Sequence, residues 1–298
     1  MRRLLHIGLP KAGSSLLQRC FDSPETPRHE IARHLRNLSL AFNGTEQLYK
    51  DSDGDGRRQP MAQSWLEEKS IFDSTSCFSE FIEERSLDFV SSEGICGFGL
   101  SPLRSSVRWA KALSNLRGNF DVLLITRNQF DWSSSMFEQI VQVENRYKRR
   151  LKFLDVYGPG GYINLSELNW LKLAETWEEA GFSVRVRPFE SLLLDPHSFV
   201  ESVEADLGRS SRILAKRVEP PILRYALNHL SYPTNFDRYI RVGAKRYFKG
   251  RMVRDRRSER MDFWQTADGM QLVRSNRELM SRFSIPDVFS HHYGLERH

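Results

Sequence analysis

A lysine inside a glycine-bounded loop is the first place in this chain where residue types and spacing could do chemistry. The run Leu4-Leu5-His6-Ile7-Gly8-Leu9-Pro10-Lys11-Ala12-Gly13-Ser14-Ser15-Leu16-Leu17-Gln18 reads as a short buried strand, a tight turn and the start of a helix over 14–21. Gly8 and Gly13 have the spacing of a phosphate-binding loop, but Ser14 follows Gly13 and the lysine has moved to Lys11. Such a loop aims backbone N–H groups and a helix N-terminus at one point, which favours an anion. Lys11 adds a full charge there, and Ser14 and Ser15 add hydroxyl donors. With no lysine beside a magnesium-ligating hydroxyl, the cradle lacks the arrangement of an ordinary ATPase.

A second anion site is predicted at Arg127. The run 120–126 (Phe-Asp-Val-Leu-Leu-Ile-Thr) reads as a fully buried strand, and Arg127 follows its C-terminal end. Asp131 is placed as the N-cap of a helix beginning at Trp132, with Ser135 about one turn in. An arginine fork and a hydroxyl, at the carboxyl end of a parallel sheet, suit a phosphate dianion. The plainer alternative is an Arg–Asp surface pair beside a solvent-facing serine.

These residues need an open sheet to hold them. The predicted order is strand 3–8, helix 14–21, helix 78–86, strand 88–93, helix 102–117, strand 120–126, helix 131–150, helix 166–180, strand 183–188 and helix 197–207. This alternation implies an α/β fold, a parallel sheet flanked by helices. One domain is expected over 1–298, with a core to about 208 and a mainly helical extension over 209–298 after a boundary near Pro220-Pro221. The polar, glycine-rich run 51–58 reads as a loop; its aspartates lack the glutamate that a calcium loop needs at its twelfth position.

Hydrophobic residues at 40% and charged residues at 28% describe a soluble globular protein, and no apolar run of 18 residues exists to span a membrane. The first strand begins almost at once, leaving no room for a signal peptide, so a cytoplasmic enzyme is expected. Cys20, Cys77 and Cys96 show neither metal-site spacing nor a disulfide framework. The net charge of +6 is concentrated: residues 241–260 hold nine Lys/Arg against two Asp/Glu. That patch would suit a lid over a charged ligand, a groove for an acidic acceptor, or a polyanion-binding arm.

Taken together, the two anion loops resemble those of the sulfotransferases that use 3′-phosphoadenosine 5′-phosphosulfate (PAPS). Gly8 to Leu17 is similar to their 5′-phosphosulfate loop, with Ala12 as a departure, and Arg127 with Ser135 is similar to their 3′-phosphate clamp, with Gln129 where many members have proline. A third patch, Val184 to Leu193 followed by Asp195-Pro196, resembles the family's late strand and Tyr-Glu-Asp-Leu segment, with Phe189 and Ser191 as departures. The resemblance implies a P-loop NTPase-like fold. It implies donor contacts from Lys11, Ala12, Gly13, Ser14, Ser15, Leu16, Arg127 and Ser135. Phe248-Lys249-Gly250-Arg251 shares Lys-Gly with a C-terminal Arg-Lys-Gly of the cytosolic members, which adds Lys249 and Arg251.

The implied reaction moves a sulfuryl group from PAPS to a hydroxyl or amine, leaving adenosine 3′,5′-bisphosphate, with no metal and no nucleic-acid partner expected. The acceptor is a small molecule or a glycan, and the basic patch favours an acidic one. Lys11 would stabilise charge on the leaving phosphate. Glu93, at the end of a strand over 87–92, would take the acceptor proton, because the run Phe89 to Gly94 is similar to that of bacterial members. In the alternative, Glu93 caps helix 102–117 or pairs with an arginine. His29 and His34 are rivals for the base, His6 reads as structural, and the pair His291-His292 lacks metal spacing. Two other functions remain open. A small-molecule P-loop kinase would need a lysine directly after Gly13. A non-catalytic polyanion-binding protein would use the 241–260 patch, with affinity falling steeply in salt.

Overall fold

Runs of leucine, isoleucine and valine make the central strands of this chain buried on both faces, as parallel strands must be when helices cover each side. A computed structural model describes residues 3–9, 17, 21, 50–51, 58–59, 76, 78–84, 86–92, 95, 102–144, 164–208 and 263–293. The strands are β1 (Arg3–Gly8), β2 (Lys50–Asp51), β3 (Arg58–Gln59), β4 (Phe89–Ser92), β5 (Phe120–Thr126) and β6 (Val184–Pro188). β4, β1, β5 and β6 form one sheet in that spatial order, and every pairing is parallel. Leu4, Leu5, Ile7, Val122, Leu123, Leu124 and Ile125 are completely buried in it.

From β1 the chain goes out to β4, then returns to the other side of β1 as β5. The strand order therefore reverses between β1 and β5, and that is where open α/β sheets leave a crevice beyond their carboxyl ends. Helices among the described residues include α1 (Pro102–Ala112), α2 (Gln129–Glu144), α3 (Trp170–Glu179), α4 (Phe189–Leu194), α5 (Pro196–Asp206) and α6 (Ala267–Arg282). Among the described residues no helix is long and apolar enough to cross a membrane.

Local signals explain most boundaries. Trp170, Leu171, Leu173, Ala174 and Trp177 make the buried stripe of α3, and Asn169 caps it by accepting from the Lys172 N–H at 3.1 Å. The helix closes in a Schellman turn. Gly181 takes φ +90°, its N–H bonds the Glu178 carbonyl, and the Phe182 N–H bonds the Trp177 carbonyl. Asp195 caps α5 by accepting from the His197 and Ser198 N–H groups, and Pro196 fills the first helical position. α6 starts at the cap Thr266 and depends on Gly269, where a Cβ would come within 2.1 Å of the Phe263 carbonyl oxygen.

Several expectations change. The helix expected over 102–117 ends at Ala112, and Ser114–Leu116 is a 3₁₀ turn. The helix expected over 166–180 is broken at Asn169, whose extended backbone separates a 3₁₀ turn, Leu165–Leu168, from α3. The run read as a loop is bounded by β2 and β3, which pair antiparallel with Asp51 opposite Arg58. α2 begins three residues before the expected Trp132, and Asn128, not Asp131, caps it. The Asn128 side chain accepts from the Asp131 N–H at 3.0 Å, while its carbonyl accepts from the Trp132 N–H at 2.8 Å. α4 was not expected at all.

His6 is the polar exception in β1, and it is structural as predicted. It is completely buried, with Nδ1 2.7 Å from the Ser91 hydroxyl of β4 and its ring stacked on Phe89. Burial lowers its pKa from 6.5 to about 3, so the folded chain holds a neutral ring. Between those values the unfolded chain binds the extra proton. The stability that neutral His6 supplies is present above pH 6.5 and is lost as pH falls toward 3, at about 1.4 kcal/mol per pH unit. In denaturant titrations, His6→Leu should lose about 2 kcal/mol less stability than wild type between pH 7 and pH 5.

Candidate functional site

Three strand ends meet at the point where the strand order reverses. Ile7 of β1 is opposite Ser92 of β4, and Gly8 is opposite Ile125 of β5. Neighbouring strands lie about 4.8 Å apart, so the three exits fall within about 10 Å across the sheet edge. The chain leaves them as Leu9, as Glu93 and as Arg127. Leu9 is completely buried, and Leu17 and Phe21 are helical and buried in the same core.

Arg127 is half-buried. Its guanidinium carbon lies 4.9 Å from the centre of the Phe189 ring, an arrangement that keeps the charge while shedding part of its water. The turn that carries it, Arg127-Asn128-Gln129, is held by three separate elements. From α3, the Trp170 indole N–H donates to the Arg127 carbonyl at 2.7 Å. From α4, Glu190 Oε1 accepts from the Asn128 backbone N–H at 2.9 Å. From α6, Asn276 makes a reciprocal amide pair with Gln129: Gln129 Nε2 donates to Asn276 Oδ1 at 2.7 Å and Asn276 Nδ2 donates to Gln129 Oε1 at 3.1 Å.

Gln129 Nε2 also reaches the Leu168 carbonyl at 3.3 Å, and Ser275 donates to the cap Asn169 at 2.8 Å. A buried amide pair satisfied on both sides fixes one geometry, because either partner alone would leave a desolvated polar group. Gln129 thus joins α6 to the exit of β5.

Glu190 is 4% exposed, and its second oxygen, Oε2, is buried without a hydrogen-bond partner among the described residues. Burial pushes its carboxyl above the usual carboxylate range. The Asn128 N–H and the Arg127 charge oppose that shift, and the Asp131 charge adds to it.

The two arginines of β6 are held in ion pairs. Arg185 binds Asp121 through Nε and an Nη, and Asp206 through its other Nη; Arg187 binds the second oxygen of Asp206 at 2.8 Å. This tie between β5, β6 and α5 makes Arg185 and Arg187 parts of the fold. Phe189 supplies the ring beneath Arg127, and Ser191 closes its own turn by donating to the Pro188 carbonyl at 2.6 Å.

No family model and no curated protein matches the chain. Among solved structures, a sulfotransferase from Alicyclobacillus acidocaldarius is similar at 15% identity and a TM-score of 0.45, with 71% of this chain and 83% of that chain covered.

Of the residues singled out in the sequence, Arg127 stands at the sheet edge as expected. Ser135 is the seventh residue of α2, nearly two turns in where one was expected, and its side chain lies outside the described residues. Lys11, Ala12, Gly13, Ser14, Ser15, Leu16, Glu93, Lys249 and Arg251 lie outside the described residues, as do His29 and His34. Sequence reasoning missed Trp170, Glu190 and Asn276. Glu190 had one signal, its place in the late segment that resembles a family pattern; Asn276 had none.

Proposed function

We propose that this chain is a sulfotransferase that takes PAPS as donor and passes its sulfuryl group to a hydroxyl or amine of a small-molecule or glycan acceptor. The observation that carries the reading is the strand register, which starts the glycine-bounded loop and the Arg127 turn from adjacent strand ends at the reversal of strand order. An arginine with an anchored main chain and a ring beneath its fork fits a phosphate group.

In this reading Lys11, Gly13, Ser14, Ser15 and Leu16, with the Ala12 main chain, hold the 5′-phosphosulfate end. Arg127 and Ser135 hold the 3′-phosphate, and Lys249 and Arg251 close over it. Glu93 takes the proton from the acceptor, and Lys11 stabilises charge on the oxygen released from sulfur. The donor supplies the activated sulfuryl group. The basic run 241–260 lends the acceptor side a preference for acidic molecules, and the cytoplasm is the compartment assigned.

A thermal-shift comparison tests this reading, since a ligand that binds only the native state raises the melting temperature. Adenosine 3′,5′-bisphosphate should raise Tm, with ATP giving a smaller shift at equal concentration. Equal shifts, or a larger one with ATP, would favour the kinase alternative. No shift with either nucleotide, together with binding to a polyanion, would favour the non-catalytic one.

A further inference from the structure

We infer that Glu190 is the positioning residue that gives this site its preference for a 3′-phosphate, by holding the Asn128 backbone N–H and so fixing where Arg127 leaves the sheet. The inference rests on the reading of Arg127 as the 3′-phosphate ligand. Its evidence lies in the environment of Glu190 itself.

A glutamate in the first turn of a short helix ordinarily points to water. This one is buried beside a half-buried arginine, with one oxygen on a main-chain N–H 62 residues away and the other unpartnered among the described residues. Removing an acid from water carries a cost that folding alone does not require, because an apolar side chain would fill the same space. The return is geometric. Asn128 is both the residue after Arg127 and the cap of α2, accepting from the Asp131 N–H. The bond from Asn128 to Glu190 therefore ties three things to one carboxyl: the end of β5, the start of α2 and the first turn of α4.

Phe189, next to Glu190 in the chain, supplies the ring under the Arg127 guanidinium, so the same turn of α4 sets the arginine from both sides. Glu190 touches no reacting atom in this account; it acts through Arg127.

The test measures a ratio, the Kd of adenosine 5′-phosphate over the Kd of adenosine 3′,5′-bisphosphate, by titration calorimetry on the full chain. Wild type should show a ratio well above one. Glu190→Ala removes the acceptor, and Glu190→Asp withdraws it by one methylene; both should cut the ratio about tenfold, equivalent to about 1.4 kcal/mol. Glu190→Gln keeps an acceptor oxygen for Asn128 and should retain most of the ratio. A purely structural role would lower Tm and weaken both nucleotides alike, leaving the ratio unchanged.

Should Glu190→Ala fail to fold, the Asp and Gln variants carry the comparison. A wild-type ratio in Glu190→Asp, or a loss in Glu190→Gln as deep as in Glu190→Asp, would overturn the inference. A wild-type ratio of one would instead overturn the reading of Arg127 on which it stands.

Discussion

Arg127→Ala should weaken adenosine 3′,5′-bisphosphate binding about 100-fold while leaving adenosine 5′-phosphate nearly unaffected. The magnitude follows from losing a fork of charge-assisted hydrogen bonds, about 3 kcal/mol in total. Arg127 is half-buried against Phe189, so its charge acts through a medium less screening than bulk water. The variant should still fold, because the anchors of this turn grip the main chain: Trp170 bonds the Arg127 carbonyl and Glu190 bonds the Asn128 N–H. Arg127→Lys should recover only part of the affinity, since an ammonium brings the charge without the planar fork. Calorimetry with both nucleotides, and a melting curve for each variant, separates a lost ligand from a lost fold.

The second large effect is on turnover. Glu93→Gln should cut sulfuryl transfer from labelled PAPS at least ~100-fold, the range for a lost general base, and leave bisphosphate affinity within about twofold. Glu93 follows Ser92, the last residue of β4, which is opposite Ile7 beside the start of the glycine-bounded loop. Wild-type turnover in Glu93→Gln would return the role to His29 or His34. Reduced turnover with equally weakened nucleotide would make Glu93 a donor ligand.

The strands were legible because parallel strands are written as unbroken apolar runs. β5 is found over the predicted residues, 120–126, and β1 over 3–8. Alternation implied a parallel sheet but not its spatial order, so the reversal between β1 and β5 emerges only in the fold. Caps were less legible. Asn128 and Asp131 are both credible caps three residues apart; the earlier one is used because it lets Gln129 and Phe130 turn inward as the first helical residues, both buried.

Asn169 breaks a pattern that reads as one helix, since its side chain competes for the backbone of the next turn. The supports of Arg127 were the least legible. Gln129 and Asn276 are 147 residues apart, and no local period announces a pairing made only in three dimensions. Nothing local to Glu190 announces that α4 buries it against the Asn128 N–H, 62 residues away in the chain.

The central claim is that one sheet edge grips both phosphate ends of a single nucleotide. Its most direct measurement is a calorimetric titration of the full chain, and of Lys11→Ala and Arg127→Ala, with adenosine 3′,5′-bisphosphate. Saturable heat in wild type, sharply reduced in each variant, is the predicted result. No heat in wild type, or heat that survives both substitutions unchanged, would contradict it.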